Sequence, residues 1–208
     1  MQVAIIRANF FLLMFLVATT ATAQQVADNR LVTEQEIRAG LSADGSRWLT
    51  FGGNYANHRH SPLTQITPEN VDRLVPQWTF QTNLVEKFET TPLYRDNVLY
   101  VTGPLNHAWA IDARSGRTFW SYERELPEDL TACCGLVNRG FAMLGDRLYM
   151  VTLDAHVLAF DSATGRVVWD ATMAEHSIGY AATIAPLIAN NKVIVGVAGG
   201  EYGIRGFI

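Results

Sequence analysis

Residues Ala110-Ile111-Asp112-Ala113-Arg114-Ser115-Gly116-Arg117-Thr118-Phe119-Trp120 return as Ala159-Phe160-Asp161-Ser162-Ala163-Thr164-Gly165-Arg166-Val167-Val168-Trp169, and the Asp, the Gly and the Trp each recur at an offset of 49 residues. The Asp carboxylate can accept backbone N–H groups inside a tight turn, and the Gly supplies the positive φ that closes it. A short apolar run precedes each copy, Val98-Leu99-Tyr100-Val101 and Leu148-Tyr149-Met150-Val151, each opened by a turn signal at Arg95-Asp96-Asn97 or Gly145-Asp146-Arg147. The unit therefore reads strand, strand, tight turn, Trp-bearing strand. Repeats of this length built from short antiparallel strands predict an all-β fold of propeller blades. One four-stranded sheet cannot bury both of its faces alone, so the Trp side chains are expected to dock between neighbouring blades.

A third copy begins at Asn190-Asn191-Lys192-Val193-Ile194-Val195, with Gly206-Phe207-Ile208 where its second strand is expected to start. No Asp turn or Trp follows in this copy, which reads as an N-terminal part of a longer propeller interrupted within a blade. Composition agrees with an all-β chain. Of 208 residues, 49% are hydrophobic and 17% charged, enough to fill a core, and the 16 glycines and 7 prolines suit turns better than helical bundles. Sixteen Lys and Arg against 20 Asp and Glu leave a net charge of −4, which argues against a nucleic-acid partner.

Residues 1–23 carry Arg7, an apolar run at residues 10–18 and Ala21-Thr22-Ala23, the pattern of an export signal cut before Gln24. The run falls well short of the roughly 20 residues needed to span a bilayer, so no membrane segment is expected after cleavage, and the mature part is expected in an oxidising compartment. Residues 24–76 read as a helix and loop segment ahead of the blades, which occupy 77–208. Thr33-Glu34-Gln35-Glu36 predicts a capping box on a helix ending at Gly40, and Thr67-Pro68 a second helix running to about Leu74. Between them, 48–61 reads as a loop, and its His58 and His60 are assigned no role.

Several residues offer chemistry. Cys133 and Cys134 are the only cysteines and are adjacent, so they join only through a tight, strained ring; the alternative is two small buried side chains. Arg139, in Asn138-Arg139-Gly140, presents a planar fork suited to a ligand carboxylate, or forms a surface ion pair. Glu201 lies among Gly199, Gly200, Gly203 and Gly206, which permit close backbone approach; it suits a calcium ligand, or is a solvated acid in a turn. Glu89 precedes a strand and is expected to point toward a central channel.

Taken together, Cys133-Cys134-Gly135-Leu136-Val137-Asn138-Arg139-Gly140, Glu89-Thr90-Thr91-Pro92-Leu93, the Asp-Gly-Trp repeats and Gly199-Gly200-Glu201-Tyr202-Gly203-Ile204-Arg205-Gly206 resemble the pyrroloquinoline-quinone (PQQ) dependent alcohol dehydrogenases of the methanol/ethanol type, from about Trp48 to Ile208. The resemblance implies an eight-bladed propeller with PQQ on its axis, between a Trp and a vicinal disulfide. It matches Cys133 and Cys134 to that disulfide. Glu89 and Arg139 match groups near the quinone, Thr183 a hydroxyl on a PQQ carboxylate, Gly199 and Gly200 backbone contacts, and Glu201 a ligand of calcium or a lanthanide. Ala198 stands where some relatives carry Ser. The second metal ligand, the stacking Trp and the catalytic Asp are expected beyond Ile208, so no catalytic base is assigned within the chain.

The implied activity is periplasmic oxidation of a primary alcohol to an aldehyde, with electrons passed to a c-type cytochrome. A haem-attachment Cys-x-x-Cys-His is absent from this sequence, so the cytochrome is expected on another polypeptide segment. Two rival readings are a PQQ-dependent sugar or polyol dehydrogenase, which generally lacks adjacent cysteines, and a non-catalytic propeller scaffold, which needs neither the cysteines nor Glu201.

Overall fold

The computed structural model describes residues 31–133 and 135–208; the export-signal segment and Cys134 lie outside the described residues. Helix α1 (Glu34–Ala39) has the expected capping box, with Thr33 Oγ1 accepting from the Glu36 N–H and Glu36 reaching back to the Thr33 N–H at 2.8 Å. Gly40 closes it at φ 72°. Strand β1 (Arg47–Trp48) follows, its second residue being the first of what the sequence reads as loop. The expected second helix is not there. Residues 71–73 form one 3-10 turn. Asn70 caps the preceding turn, its Oδ1 accepting the Thr67 N–H at 2.8 Å, but its own backbone leaves the helical region at φ −131° and ψ −5°, and Leu74 departs in an extended conformation.

The strands then come in repeating sets. The first sheet holds β2 (Leu93–Arg95), β3 (Val98–Thr102), β4 (Ala108–Asp112) and β5 (Thr118–Tyr122), with β1 added beside β2. The second holds β6 (Ala142–Leu144), β7 (Arg147–Val151), β8 (His156–Asp161) and β9 (Val167–Thr172). A third begins with the hairpin β10 (Leu187–Ala189) and β11 (Lys192–Ile194). Every pairing is antiparallel, and the sheets are successive blades of a partial β-propeller. The register shifts once in each complete blade, between Ala110 and Ile111 and between Ala159 and Phe160, the same place in the repeat. Residues 206–208 form no strand, contrary to the sequence expectation.

The tight turns are built as the repeat implies. Asp112 Oδ1 accepts the Arg114 and Ser115 N–H groups, and Asp161 Oδ1 accepts Thr164 N–H at 2.9 Å and Thr164 Oγ1–H at 2.8 Å. Gly116 and Gly165 sit at φ 73° and 71°. Each turn receives a Trp from the preceding segment: Trp120 Nε1 donates to Ser162 O at 2.9 Å, and Trp78 Nε1 donates to Ala113 O at 3.0 Å. A Cβ on Gly165 would lie 2.5 Å from Trp120 Cδ2, and one on Gly116 would lie 2.7 Å from Trp78 Cδ2. The glycine thus serves the turn and the docking at once. Beneath Trp120, Phe160 stacks on the indole and meets Tyr122 and Phe141 edge-on, joining the first blade to the second through one apolar core.

The N-terminal segment crosses the three opening hairpins. Val32 exchanges two backbone hydrogen bonds with Gly145 in the β6–β7 turn. Glu36 pairs with Arg95 at the β2–β3 hairpin, and Glu34 accepts the Asn190 and Asn191 N–H groups of the β10–β11 turn. Each blade's entry hairpin is therefore held by a single short stretch of chain, at Arg95, at Gly145 and at Asn190 with Asn191.

Candidate functional site

The chemistry-bearing residues sit at the opposite end of the blades from these hairpins, just before the first strand of each. Glu89 is four residues before β2, Arg139 three before β6, and Thr183 four before β10. The backbones of these segments bond side by side, Thr91 N–H to Arg139 O at 3.2 Å and Arg139 N–H to Thr183 O at 3.0 Å. The side chains follow the same order. Arg139 Nη2 pairs with Glu89 Oε2 at 2.7 Å, and Arg139 Nη1 donates to Thr183 Oγ1 at 2.5 Å. Three residues that the sequence singles out, from three blades, thus form one row.

The Asn-Arg-Gly triplet has a local reason. Asn138 is buried, and its Nδ2 donates to Val151 O at 2.9 Å while its Oδ1 accepts the Gly140 N–H at 3.0 Å. This brackets Arg139 and fixes the direction in which it leaves the backbone. Gly140 takes φ 129°, and a Cβ there would stand 2.9 Å from Thr91 O, so a larger residue would push the Glu89 segment away. Sequence reading missed these two roles; the flanking of a charged residue by Asn and Gly was the available signal.

Electrostatics also separates function from stability here. The Arg139 and Glu89 side chains remain 34% and 39% exposed, and pairs this open contribute about 0–1 kcal/mol. The pair cancels its own charge while leaving guanidinium edge and carboxylate facing outward, donor and acceptor side by side.

Gly199, Gly200 and Glu201 lie along a neighbouring stretch. Ala198 and Ala181 exchange backbone hydrogen bonds at 2.7 and 3.1 Å, so the chain that enters Thr183 also positions the glycines. A Cβ on Gly199 would fall 2.0 Å from Gly179 O, whereas one on Gly200 would meet nothing within 4 Å. Gly199 is therefore required by close backbone packing, and Gly200 opens space. Glu201 sits exposed on the 3-10 turn Gly200–Tyr202. Among the described residues, no group of three His, Cys, Asp or Glu could hold a metal ion, so other donors would have to complete a site with Glu201. Cys133 is partly buried in the loop leading to Arg139, anchored just beyond by Leu105 N–H to Leu136 O at 2.8 Å. The expected disulfide involves Cys134 and so lies outside the described residues.

The family model described as glucose/ethanol/alcohol dehydrogenase, beta-propeller domain, matches residues 48–203. The chain belongs to this PQQ-dependent propeller family. Among its relatives, the quinoprotein alcohol dehydrogenase PedH of Pseudomonas putida is 40% identical over 162 residues, 77% of this chain and 27% of PedH. The quinohemoprotein alcohol dehydrogenase structure from Comamonas testosteroni superimposes with a TM-score of 0.76 at 34% identity, covering 90% of this chain and 28% of that one. A europium-containing methanol dehydrogenase gives 0.74 at 37% identity, with 77% and 29% covered. The chain spans under a third of the length of each of these relatives.

Proposed function

We propose that this chain is the part of a periplasmic quinoprotein alcohol dehydrogenase that holds one side of PQQ, in an enzyme oxidising primary alcohols to aldehydes with a c-type cytochrome as electron acceptor. The observation carrying this reading is the row Glu89–Arg139–Thr183, assembled from three blades at one end of the sheets. Its donor set fits a planar quinone bearing carboxylates: a guanidinium fork, a hydroxyl and an open glycine, with one carboxylate already neutralised. When bound, PQQ supplies the hydride-accepting quinone, and a calcium or lanthanide ion supplies Lewis acidity.

The residues of the chain have separate tasks in this reading. Arg139 binds quinone oxygens and orients Glu89. Thr183 Oγ1, already fixed by the guanidinium, hydrogen-bonds a ligand carboxylate. Gly199 and Gly200 let the backbone approach the ring, and Glu201 contributes carboxylate oxygen to the cation. Cys133 and Cys134, joined as a vicinal disulfide, form a flat apolar platform that excludes water. The export pattern of residues 1–23 supports the periplasmic location.

The test uses the complete natural protein that contains this chain, reconstituted with PQQ and either calcium or a lanthanide. Ethanol-dependent dye reduction that disappears on omission of PQQ or on chelation is the expected result. Oxidation of glucose without oxidation of primary alcohols, or failure to bind PQQ at all, would refute it.

A further inference from the structure

Between the end of β5 and Leu136 the chain crosses from the first blade to the second; its described residues form no helix or strand, and this strap carries Cys133, followed in sequence by Cys134. Strand directions place it. Because β2 to β5 alternate, the end of β5 lies at the same end of the blade as the start of β2, where the Glu89 row stands; the β7–β8 turn of the second blade lies at that end too. At the root of the strap, Arg124 Nε donates to Asp154 Oδ1 and Oδ2 at 2.8 and 3.0 Å, and Nη2 donates to Oδ2 at 2.7 Å. Nη1 donates to Asp170 Oδ2 at 3.0 Å, and Asp170 Oδ1 meets His156 Nδ1 at 2.5 Å. The Arg124 and Asp154 side chains are only 12% and 7% exposed. Midway, Asp129 Oδ1 meets His176 Nε2 at 3.3 Å, and at the far end the Leu136 carbonyl accepts the Leu105 N–H.

We infer that Arg124 is a positioning residue, whose fork on Asp154 and Asp170 sets where the strap lies and thereby where Cys133 meets the cofactor. The inference rests on the PQQ reading above. A buried arginine held by two carboxylates gives little net stability over an apolar replacement, since desolvation offsets most of the attraction. What such a group does give is one fixed geometry, as a bidentate fork accepts only one placement. Glu123 with His107 Nε2 at 3.5 Å and Asp129 with His176 are exposed pairs, and Leu136 holds by one backbone bond, so the fork at the root is the most geometrically defined of these ties.

The test is made in the complete natural protein with Arg124→Lys, which keeps the charge and loses the fork, and with Arg147→Gln, which removes ion pairs at the opposite end of the second blade. Glutamyl endopeptidase cleavage after Glu125 and Glu128 reports strap anchoring without reference to function. Expected for Arg124→Lys are cleavage about tenfold faster through local opening and PQQ affinity about tenfold weaker, with the alcohol KM at saturating PQQ unchanged. Arg147→Gln should change neither cleavage nor affinity. Should circular dichroism show Arg124→Lys unfolded, Asp170→Asn, a milder loss at the same fork, carries the same two readouts. Unaltered cleavage, or faster cleavage with unaltered PQQ affinity, overturns the inference alone. Absence of PQQ binding by the unchanged protein overturns the functional reading and the inference with it, while cleavage still separates the anchor from the reading.

Discussion

Replacing Gly165 by alanine tests the joint between blades at its tightest point. The added Cβ would lie 2.5 Å from Trp120 Cδ2 and 2.6 Å from Cε3, where ordinary contacts begin near 3.4 Å, so the indole must move by about an ångström. Trp120 is buried, stacked on Phe160 and bonded through Nε1 to Ser162 O, so any movement disturbs packing and a hydrogen bond together. Holding alanine at φ 71° costs about 1–2 kcal/mol, overpacking about 1–3, and a stretched buried hydrogen bond about 1. Stability should therefore fall by about 3–6 kcal/mol. Gly145→Ala is the internal control: its φ is 63°, but an added Cβ there meets nothing within 4 Å, so only the backbone cost of about 1–2 kcal/mol remains. Urea unfolding of both variants, compared at equal m-values, gives the difference. A Gly165→Ala loss no larger than that of Gly145→Ala would refute the claim that the glycine is kept for the tryptophan.

Other outcomes follow from the site and the charge network. Arg139→Gln should weaken PQQ binding by about 10- to 100-fold while leaving the unfolding midpoint nearly unchanged, because the Glu89 pair is exposed; equilibrium titration and urea melts report the two separately. Glu201→Gln should raise the cation concentration needed for PQQ binding by about tenfold or more, measured by titrating calcium or lanthanide into chelated protein. Acid stability should reflect Asp154 and Asp170. Burial alone raises both carboxyls, but Arg124 with Thr152 for Asp154, and His156 with Arg124 for Asp170, outweigh it and hold both below the ordinary 3.8. A depressed folded pKa gives stability that is present above the unfolded value and lost as pH falls from 3.8 toward the folded value. Asp154→Asn should flatten that acid slope in urea melts, at the cost of lower stability near neutrality.

The repeat was legible because turns have strict local needs: an Asp, a Gly and a Trp at fixed spacing survive as text. The capping box of α1 was legible for the same reason. Trp78 was not recognised as a copy, since it lies 42 residues before Trp120 rather than 49 and no Asp turn precedes it. The opening strands β2, β6 and β10 are three residues each, too short to show alternation. The turn at 67–73 misled because Thr67-Pro68 does open a capped turn, while the backbone at Asn70 then leaves helical φ/ψ and ends it. Site residues were harder still. Glu89, Arg139 and Thr183 are each ambiguous alone, and what joins them are bonds between segments 44 to 50 residues apart. Only the likeness to a family drew them together beforehand. Arg124 carried no sequence signal at all, because its partners Asp154 and Asp170 lie in another blade.

The two ends of these blades do different work, and strand direction explains why. The Asp-Gly turns that receive Trp78 and Trp120, the entry hairpins, and α1 with Val32, Glu34 and Glu36 all gather at one end. That end is bound by backbone bonds, close glycine contacts and buried rings, interactions that fix blade to blade. With the blades fixed there, the other end does not have to hold them together. Its segments can place a half-exposed ion pair, an open glycine and an exposed turn carboxylate where stability alone would not favour them. The Arg124 fork belongs to the second end, with Arg124 and Asp154 largely shielded and Asp170 half-exposed, and it ties the start of the cysteine-bearing chain to the second blade. Substitutions at the first end should therefore change stability and leave ligand affinity to follow it. Those at the second should change affinity ahead of stability.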